Sequence, residues 1–470
     1  MNVNKTQTLE GDYYFMTYTT SRAFLEALVE AGVSYVFANL GSDHPGIIEN
    51  LAKAKQENRK LPEMIICPHE FVALSMAHSY AQITGEPQAV LVHVECGTQN
   101  LGGALHNAFK GRVPVLIFAG ASPYSQEGEL LGSRNEFIHW IQDVHDQRGI
   151  VRGYTKYNNE IRSGVNVKQL VHRALQIAKS KPQGPVYLMG PRETMEEETT
   201  PVTVNPELWQ PVAPTALPEN EVRQVIDDIA EANNPLIITS YLGKEPKAVE
   251  ELVKFSEALS IPVIESVPNY MNFPSDHPMH CGYQWNTPGQ NELLYEADLV
   301  LVFDSDVPWI PSKNKPSRNA TIYYFDEDPL KESMPLWYVP AKKAFSVDSY
   351  SALKQLNQVV DEIQFNQAKI DQRKKKITSY RKKQREKWKE AEAQQSHITP
   401  EYLTACVREI MDENTIVVNE GISNFETIYT HLNCNRPGSI YGSGAGSLGW
   451  NGGAALGAKL AAKDKKVINL

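Results

Sequence analysis

The carboxylate with the clearest chemical promise is Glu70. It lies in the stretch Met64 to Gly85, MIICPHEFVALSMAHSYAQITG. Met64 to Cys67 is a short apolar run that reads as a buried strand, and Pro68 stops it. Phe71, Leu74, Ser75, His78 and Ala81 then recur at helical spacing until Gly85 closes the helix. Glu70 therefore falls in the first helical turn, where the helix dipole favours its charge and where an ordinary N-terminal carboxylate would also be found.

Other polar groups gather at comparable junctions. The loop Gly41-Ser42-Asp43-His44-Pro45-Gly46 follows the strand SYVFANL, at the end of a strand where open α/β sheets place their ligands. Asp43 and His44 are candidates for substrate contact; alternatively Ser42 or Asp43 caps the next helix. Glu95-Cys96-Gly97-Thr98-Gln99-Asn100 follows the strand Ala89 to Val94 and leads into a helix with Leu101, Leu105 and Phe109. Asp304-Ser305-Asp306 and Asp326-Glu327-Asp328 follow two further strands, where acids bind ribose hydroxyls or metal but more often cap helices and solvate loops. Near the end, Tyr441 to Trp450, YGSGAGSLGW, opens a small-residue helix. Its four glycines let backbone approach a bulky ligand and offer N–H groups to anions.

The elements that must carry these groups alternate strand and helix. Continuous apolar strands such as Val113 to Phe118 and Pro185 to Met189, separated by helices such as Lys168 to Ser180, describe parallel sheets covered on both faces. The fold class is α/β, with three domains in 470 residues: 15–195, an exposed proline- and acid-rich linker at 196–218, a central α/β domain at 219–348, a charged linker helix at 349–395, and 396–470. The central domain is expected to hold a helix from Glu219, strands Leu236 to Thr239, Pro262 to Ile264, Leu299 to Phe303 and Ile322 to Phe325, and a helix Ala248 to Leu259. Ser349 to Gln395 reads as one long helix without a wide apolar face.

A net charge of -10, spread along the chain, argues against general affinity for nucleic acid or membrane surfaces. Five scattered cysteines without CxxC spacing suggest neither disulfides nor zinc, and fit a reducing, cytoplasmic compartment. No secretory signal or membrane-spanning run is present.

In order and spacing, VFANLGSDHPG, the strand before His69-Glu70 with AHSYAQITG after it, GTQNLGGALHNAFKGRVPVLIFAG, EADLVLVFDSD, and GSLGWNGGAALGAKLA with KKVINL form one pattern. It resembles the thiamine-diphosphate-dependent enzymes of the acetolactate synthase, pyruvate decarboxylase and benzoylformate decarboxylase group, over nearly the whole chain. The resemblance implies a pyrimidine-binding domain, a central Rossmann-like domain and the first part of a diphosphate-binding domain. It also implies a homodimer or homotetramer whose sites form between the first domain of one subunit and the third of its partner. By that resemblance Glu70 matches the glutamate that hydrogen-bonds the aminopyrimidine at N1′. Sharing a proton there favours the imino tautomer, which activates the thiazolium carbon. Gly446 would hold the amino group through its carbonyl, Leu448 would be the apolar wedge that bends the cofactor, and Gly421 and Ser423 match positions near the diphosphate.

On the substrate side the resemblance points to Ser42, Asp43, His44, His69, Asn100 and Gln142, with His69 equally readable as a packing or capping residue. Lys156 reads as a substrate-side or a surface ammonium. Three departures stand out. Glu95-Cys96-Gly97 replaces a frequent Gly-Pro-Gly turn and sets a carboxylate and a thiol beside the expected site. The central domain lacks the glycine and arginine pattern of a flavin site, which speaks against FAD. The Gly-Asp-Gly motif and later asparagine that hold Mg2+ and diphosphate would begin just after Leu470, so no metal ligand is expected within the sequence, which reads as a fragment.

The implied activity is carboligation or decarboxylation of a 2-oxo acid with thiamine diphosphate and magnesium. The alternative is a non-catalytic binding or regulatory relative that has lost the metal anchor. A nicotinamide dehydrogenase is disfavoured because no GxGxxG accompanies the acids after the strands.

Overall fold

The computed structural model describes residues 18–286, 289–394 and 396–470; the expected first-domain residues 15–17 and the last residue of the expected linker helix lie outside them. Three parallel sheets organise the chain. The first contains β1 (Tyr35–Ala38), β2 (Glu63–Ile66), β3 (Ala89–Val92), β4 (Leu116–Ala121), β5 (Tyr157–Glu160) and β6 (Val186–Pro191), in the order β2-β1-β3-β4-β6-β5. Side chains alternate across it as strand geometry requires. Val36, Ala38, Leu91 and Phe118 join one core with the helices Thr20–Glu30 and Val167–Lys179. Tyr35, Phe37, Val90, Val92 and Ile117 join a second core with the helices Glu70–Thr84 and Gly102–Lys110.

Two local expectations are corrected here. The stretch read as a buried strand before Glu70 is β2, an edge strand that pairs only with β1 and leaves Ile66 exposed. Apolar content alone does not distinguish an edge position from a central one. The helix after β3 begins at Val94, earlier than expected, and yields to a second helix at Gly102.

The central sheet holds β7 (Pro235–Thr239), β8 (Val263–Ser266), β9 (His280–Gln284), β10 (Leu299–Phe303), β11 (Thr321–Asp326) and β12 (Lys343–Ser346), in the order β12-β11-β10-β7-β8-β9. In the acidic turns after β10 and β11, Asp306 and Asp326 are neither helix caps nor loop solvation. Arg112 of the first domain donates to both oxygens of Asp306, at 3.0 and 2.6 Å, and lies 4.4 Å from the centre of the Tyr241 ring. Lys331, fully buried, bridges Asp306 and Asp326 at 3.0 and 2.6 Å. Burial would push the Asp306 carboxyl up, but Arg112 and Lys331 hold it well below the usual range. These charges are neutralised inside the junction between the first two domains.

The expected long linker helix is two helices, Ser349–Glu362 and Gln367–Ala391, because Asn366 caps a new start by accepting from the Ala368 and Lys369 N–H groups. The second helix is docked rather than free. Buried Arg373 donates to the carbonyls of Ile229, Ala232 and Leu259, at or beside the C-terminal ends of the helices Glu219–Glu231 and Pro246–Leu259.

The third sheet is small: β13 (Thr415–Val418), β14 (Ile440–Tyr441) and β15 (Lys466–Asn469), in the order β14-β13-β15. Its helix Trp450–Ala461 runs alongside Glu70–Thr84 of the first domain. A Cβ at Gly449 would meet Phe71, one at Gly453 would come within 2.8 Å of Ser75, and one at Gly457 within 2.2 Å of the Met76 carbonyl. The contacts advance together along both helices, so the two helices run in the same direction and start at the same end. The absent side chains at 453 and 457 are what permit the approach.

Gly457→Ala should therefore force the helix pair apart and lower the thermal midpoint by several degrees. Gly452→Ala, on the same helix but with nothing within 4 Å of the added carbon, should instead add about 0.4–1 kcal/mol of stability and raise the midpoint slightly. Differential scanning calorimetry of both variants checks the pair.

Candidate active site

Glu70 is the first residue of its helix and only 5% exposed. One carboxylate oxygen accepts from Asn39 Nδ2 at 2.9 Å and the other from Asn100 Nδ2 at 3.1 Å. Asn39 follows β1 and Asn100 ends the Val94–Asn100 helix, so two chain segments fix the carboxylate. Gly97 provides its room: a Cβ there would stand 3.2 Å from Glu70 Oε1 and 2.9 Å from the Val92 side chain. His69 is exposed, and its Nδ1 accepts from the Phe71 N–H at 3.1 Å, which is a capping contact.

The loop after β1 carries a second cluster. Asp43 is buried; its Oδ1 lies 2.6 Å from His93 Nδ1, and its Oδ2 accepts from the Val94 N–H at 3.0 Å. His93 Nε2 is 3.2 Å from Gln142 Oε1. With acceptors on both nitrogens the ring is best satisfied as an imidazolium. The hydrogen bond to Asp43 raises the His93 pKa against the opposing effect of burial. Burial would push the Asp43 carboxyl up, yet His44 and His93 hold it well below the usual range.

Two glycines make space for this pair. A Cβ at Gly41 would fall 2.1 Å from His93 Nδ1, and one at Gly120 1.9 Å from Asp43 Oδ2. Val94 has φ of +30°, a left-handed backbone that a β-branched residue rarely adopts. Such strain persists only where the surroundings enforce it, here through the Asp43 bond to the Val94 N–H. Around the cluster, Ser42 Oγ is 3.4 Å from His139 Nε2, and His44 Nδ1 accepts from the Gly41 N–H at 3.1 Å. Burial lowers the His139 pKa.

The structure thus joins Glu70 to Asn100, Asp43 to Gln142 through His93, and Ser42 to His139. His93, His139 and Asn39 are not evident as site residues from sequence. The available signal for His93 was a polar residue interrupting the apolar run AVLVHV at the end of β3. Lys156 lies apart: its Nζ donates to the Ile177 and Ser180 carbonyls at the end of the Val167–Lys179 helix, and burial lowers its pKa to about 8.

In the third domain, the N–H groups of Gly449, Trp450 and Asn451 all donate to the Glu420 carboxylate, at 3.1, 3.0 and 3.3 Å. The helix entrance expected to offer N–H groups to an anion is therefore served by the chain's own acid. Ser447 is held by Asn107 through both its N–H and its carbonyl, at 3.1 and 2.8 Å. Next to it Gly446 is exposed and the Leu448 side chain is 64% exposed. Gly421 donates its N–H to Asn419 Oδ1, and Ser423 is exposed on a short turn.

Replacing Asp43 by Asn should lower the His93 pKa, read from imidazole chemical shifts. The sign of the stability effect follows. The contribution of His93 is complete below its unfolded pKa of about 6.5 and is lost as pH rises through its raised folded value. That of Asp43 is present above about pH 3.9 and is lost as pH falls through its depressed folded value. Asp43→Asn should therefore cost about 2–3 kcal/mol near pH 6 and less at pH 9, measured by denaturant titration at the two pH values.

Comparison with known proteins places this geometry. Residues 18–150 match the thiamine pyrophosphate enzyme N-terminal TPP-binding domain, and residues 222–333 match the central domain of the same enzymes. An acetolactate synthase of Bacillus subtilis is 26% identical over 308 residues, covering 64% of this chain and about half, 51%, of that protein. A benzoylformate decarboxylase of Pseudomonas aeruginosa is 23% identical over 459 residues, covering 96% of this chain and 80% of the relative. The solved thiamine diphosphate-dependent 4-hydroxybenzoylformate decarboxylase of Rhodococcus jostii superposes with a TM-score of 0.73 at 23% identity, over 96% of this chain and 80% of that one, and shares its fold. With its first and central domains both matched, together over more than half its length, the chain belongs to the thiamine pyrophosphate enzyme family.

Proposed function

We propose that the protein is a thiamine-diphosphate-dependent carboligase or decarboxylase acting on a 2-oxo acid, acetolactate-synthase-like in chemistry, and working as a homodimer or homotetramer. The observation that carries this is Glu70: a buried carboxylate at a helix start, oriented by two amide donors and given space by a glycine. That arrangement fits an aminopyrimidine ring, whose N1′ needs a partner able to share a proton in a water-poor setting.

Thiamine diphosphate, when bound, supplies a carbon nucleophile that can take up the negative charge left as a 2-oxo acid loses carbon dioxide. The chain's own residues do the rest. Glu70 would hold the shared proton on a carboxylate oxygen, while Asn39 and Asn100, one on each oxygen, keep the carboxylate in place. The Gly446 carbonyl and the exposed Leu448 side chain would meet the cofactor from a partner subunit. A 64% exposed leucine beside an anchored Ser447 supports that reading, since the anchor fixes the loop without covering its apolar tip. Gly421 and Ser423 would lie near the diphosphate. Magnesium enters only as the counter-ion of that diphosphate; among the described residues no group of three or more His, Cys, Asp or Glu is placed to hold a metal.

Ser42, Asp43, His44, Asn100 and Gln142, with His93 and His139, would line the substrate side. The His93 imidazolium is suited to hold a carboxylate or give a proton to a developing oxyanion. His69, capping its helix, is the weakest member of the set.

Incubation of the full-length protein with thiamine diphosphate, magnesium and a panel including pyruvate and benzoylformate should release carbon dioxide. Glu70→Gln should reduce turnover by about 100-fold or more with little change in melting temperature. Undiminished activity in that variant, or no turnover of any 2-oxo acid by the wild type, would refute the proposal.

A further inference from the structure

Beside Glu70 lies a second buried acid whose needs the fold does not meet. Glu95, 2% exposed, stands in the first turn of the Val94–Asn100 helix, directly after the strained Val94. Its Oε1 accepts only the Cys96 S–H, at 2.8 Å, and its Oε2 is buried with no hydrogen-bond partner among the described residues. A thiol is a weak donor, and a buried carboxylate with one weak donor is poorly compensated.

The neighbouring acids are treated differently. Asp43 has His93 and the Val94 N–H; Glu70 has Asn39 and Asn100. Glu95 is close enough to His93 and Cys96 for its charge to raise both their pKa values, so it shares the site. The thiol is pushed up to about 11, by burial first and then by Glu95, Glu70 and Asp43. At neutral pH Cys96 therefore stays an S–H donor to Glu95 and is not a thiolate that could take over the chemistry. Across the His93 ring from Asp43, Gln142 Nε2 is a buried donor without an acceptor among the described residues.

We propose that Glu95 is a specificity-determining residue that receives a positively charged nitrogen of the substrate, so that the preferred 2-oxo acid carries an ammonium or guanidinium group on its side chain. The assignment deepens the proposed function and rests on it for the 2-oxo acid part. The cation would supply Oε2 with the strong, charged donor that the protein lacks there. The Cys96 S–H keeps the other oxygen in register, and the Val94 backbone fixes where the carboxylate starts. Gln142 Nε2 would be free for the carboxylate at the other end of the same molecule. Such a site rejects neutral side chains of equal length, because they would leave a buried carboxylate unpaired.

The test is calorimetric binding to the full-length protein with two probes of similar length, 5-guanidinopentanoate and hexanoate, which needs no turnover. The wild type should bind the guanidino acid at least 10-fold more tightly than hexanoate. In Glu95→Gln the ratio should fall to about one, whereas in Glu70→Gln it should persist although turnover is lost. A wild-type ratio near one overturns the assignment, as does a ratio unchanged in Glu95→Gln. Should Glu95→Gln fail to fold, Glu95→Asp, which keeps the charge but shortens its reach, must reduce the ratio without abolishing it; an unaltered ratio there also overturns it. Failure of the broader proposal would appear separately, as absence of carbon dioxide release with the probe preference intact.

Discussion

The close approach of two helices that start at one end of the molecule governs the rest of the structure. Glu70–Thr84 belongs to the first domain and Trp450–Ala461 to the third, and they touch where Gly453 and Gly457 leave no side chain. Because they run the same way, the carboxylate at the head of one helix and the glycine loop at the head of the other face the same region. Any side chain that wedged the pair open would shift the first domain, which carries Glu70, against the third-domain loop proposed to meet a partner subunit's cofactor. The second contact, Arg112 with Asp306 and Lys331, ties the first domain to the central one independently.

Charge is distributed with similar economy in the first domain. Three acids, Asp43, Glu70 and Glu95, sit on turns at the carboxyl ends of neighbouring strands, where parallel sheets gather polar groups. Burial penalises each of them, and each is compensated to a different degree: by an imidazolium, by two amides, and by one thiol. That gradient separates an acid paired with a histidine, an acid held by two amides and an acid still short of a partner. Val94 lies at the centre of this arrangement, and its backbone strain is maintained by the carboxylate that also holds His93.

Much of this was legible in the residues. The alternation of apolar strands with helices showed a parallel α/β architecture, and Pro68, Glu70 and Gly85 marked one helix at both ends. What escaped sequence reasoning was of two kinds. Polar edge strands such as Tyr157–Glu160, His280–Gln284 and Lys343–Ser346 carry no apolar run, because each pairs along one edge only and its place is fixed by the neighbouring strand. Long-range partners were invisible for another reason: nothing near Asp306 in sequence announces Arg112, and nothing near Asp43 announces His93. The acidic turns looked like solvated loops because Arg112 comes from another domain and Lys331 is folded inward rather than left on the surface. The helix entrance at Gly449 likewise looked vacant for an anion, because Glu420 lies about thirty residues earlier in the chain.

The clasp made by Arg373 has a consequence for how the domains stay together. Its three partners are neutral carbonyls, so the joint carries charge on one side only. Acid does not remove it by protonating a partner, and salt weakens it less than an exposed ion pair, because the guanidinium is sheltered from mobile ions. The helix leading to the third domain thus has one fastening that ionic conditions barely turn, beside the exposed Lys376–Glu296 and Arg385–Asp276 pairs that salt would loosen.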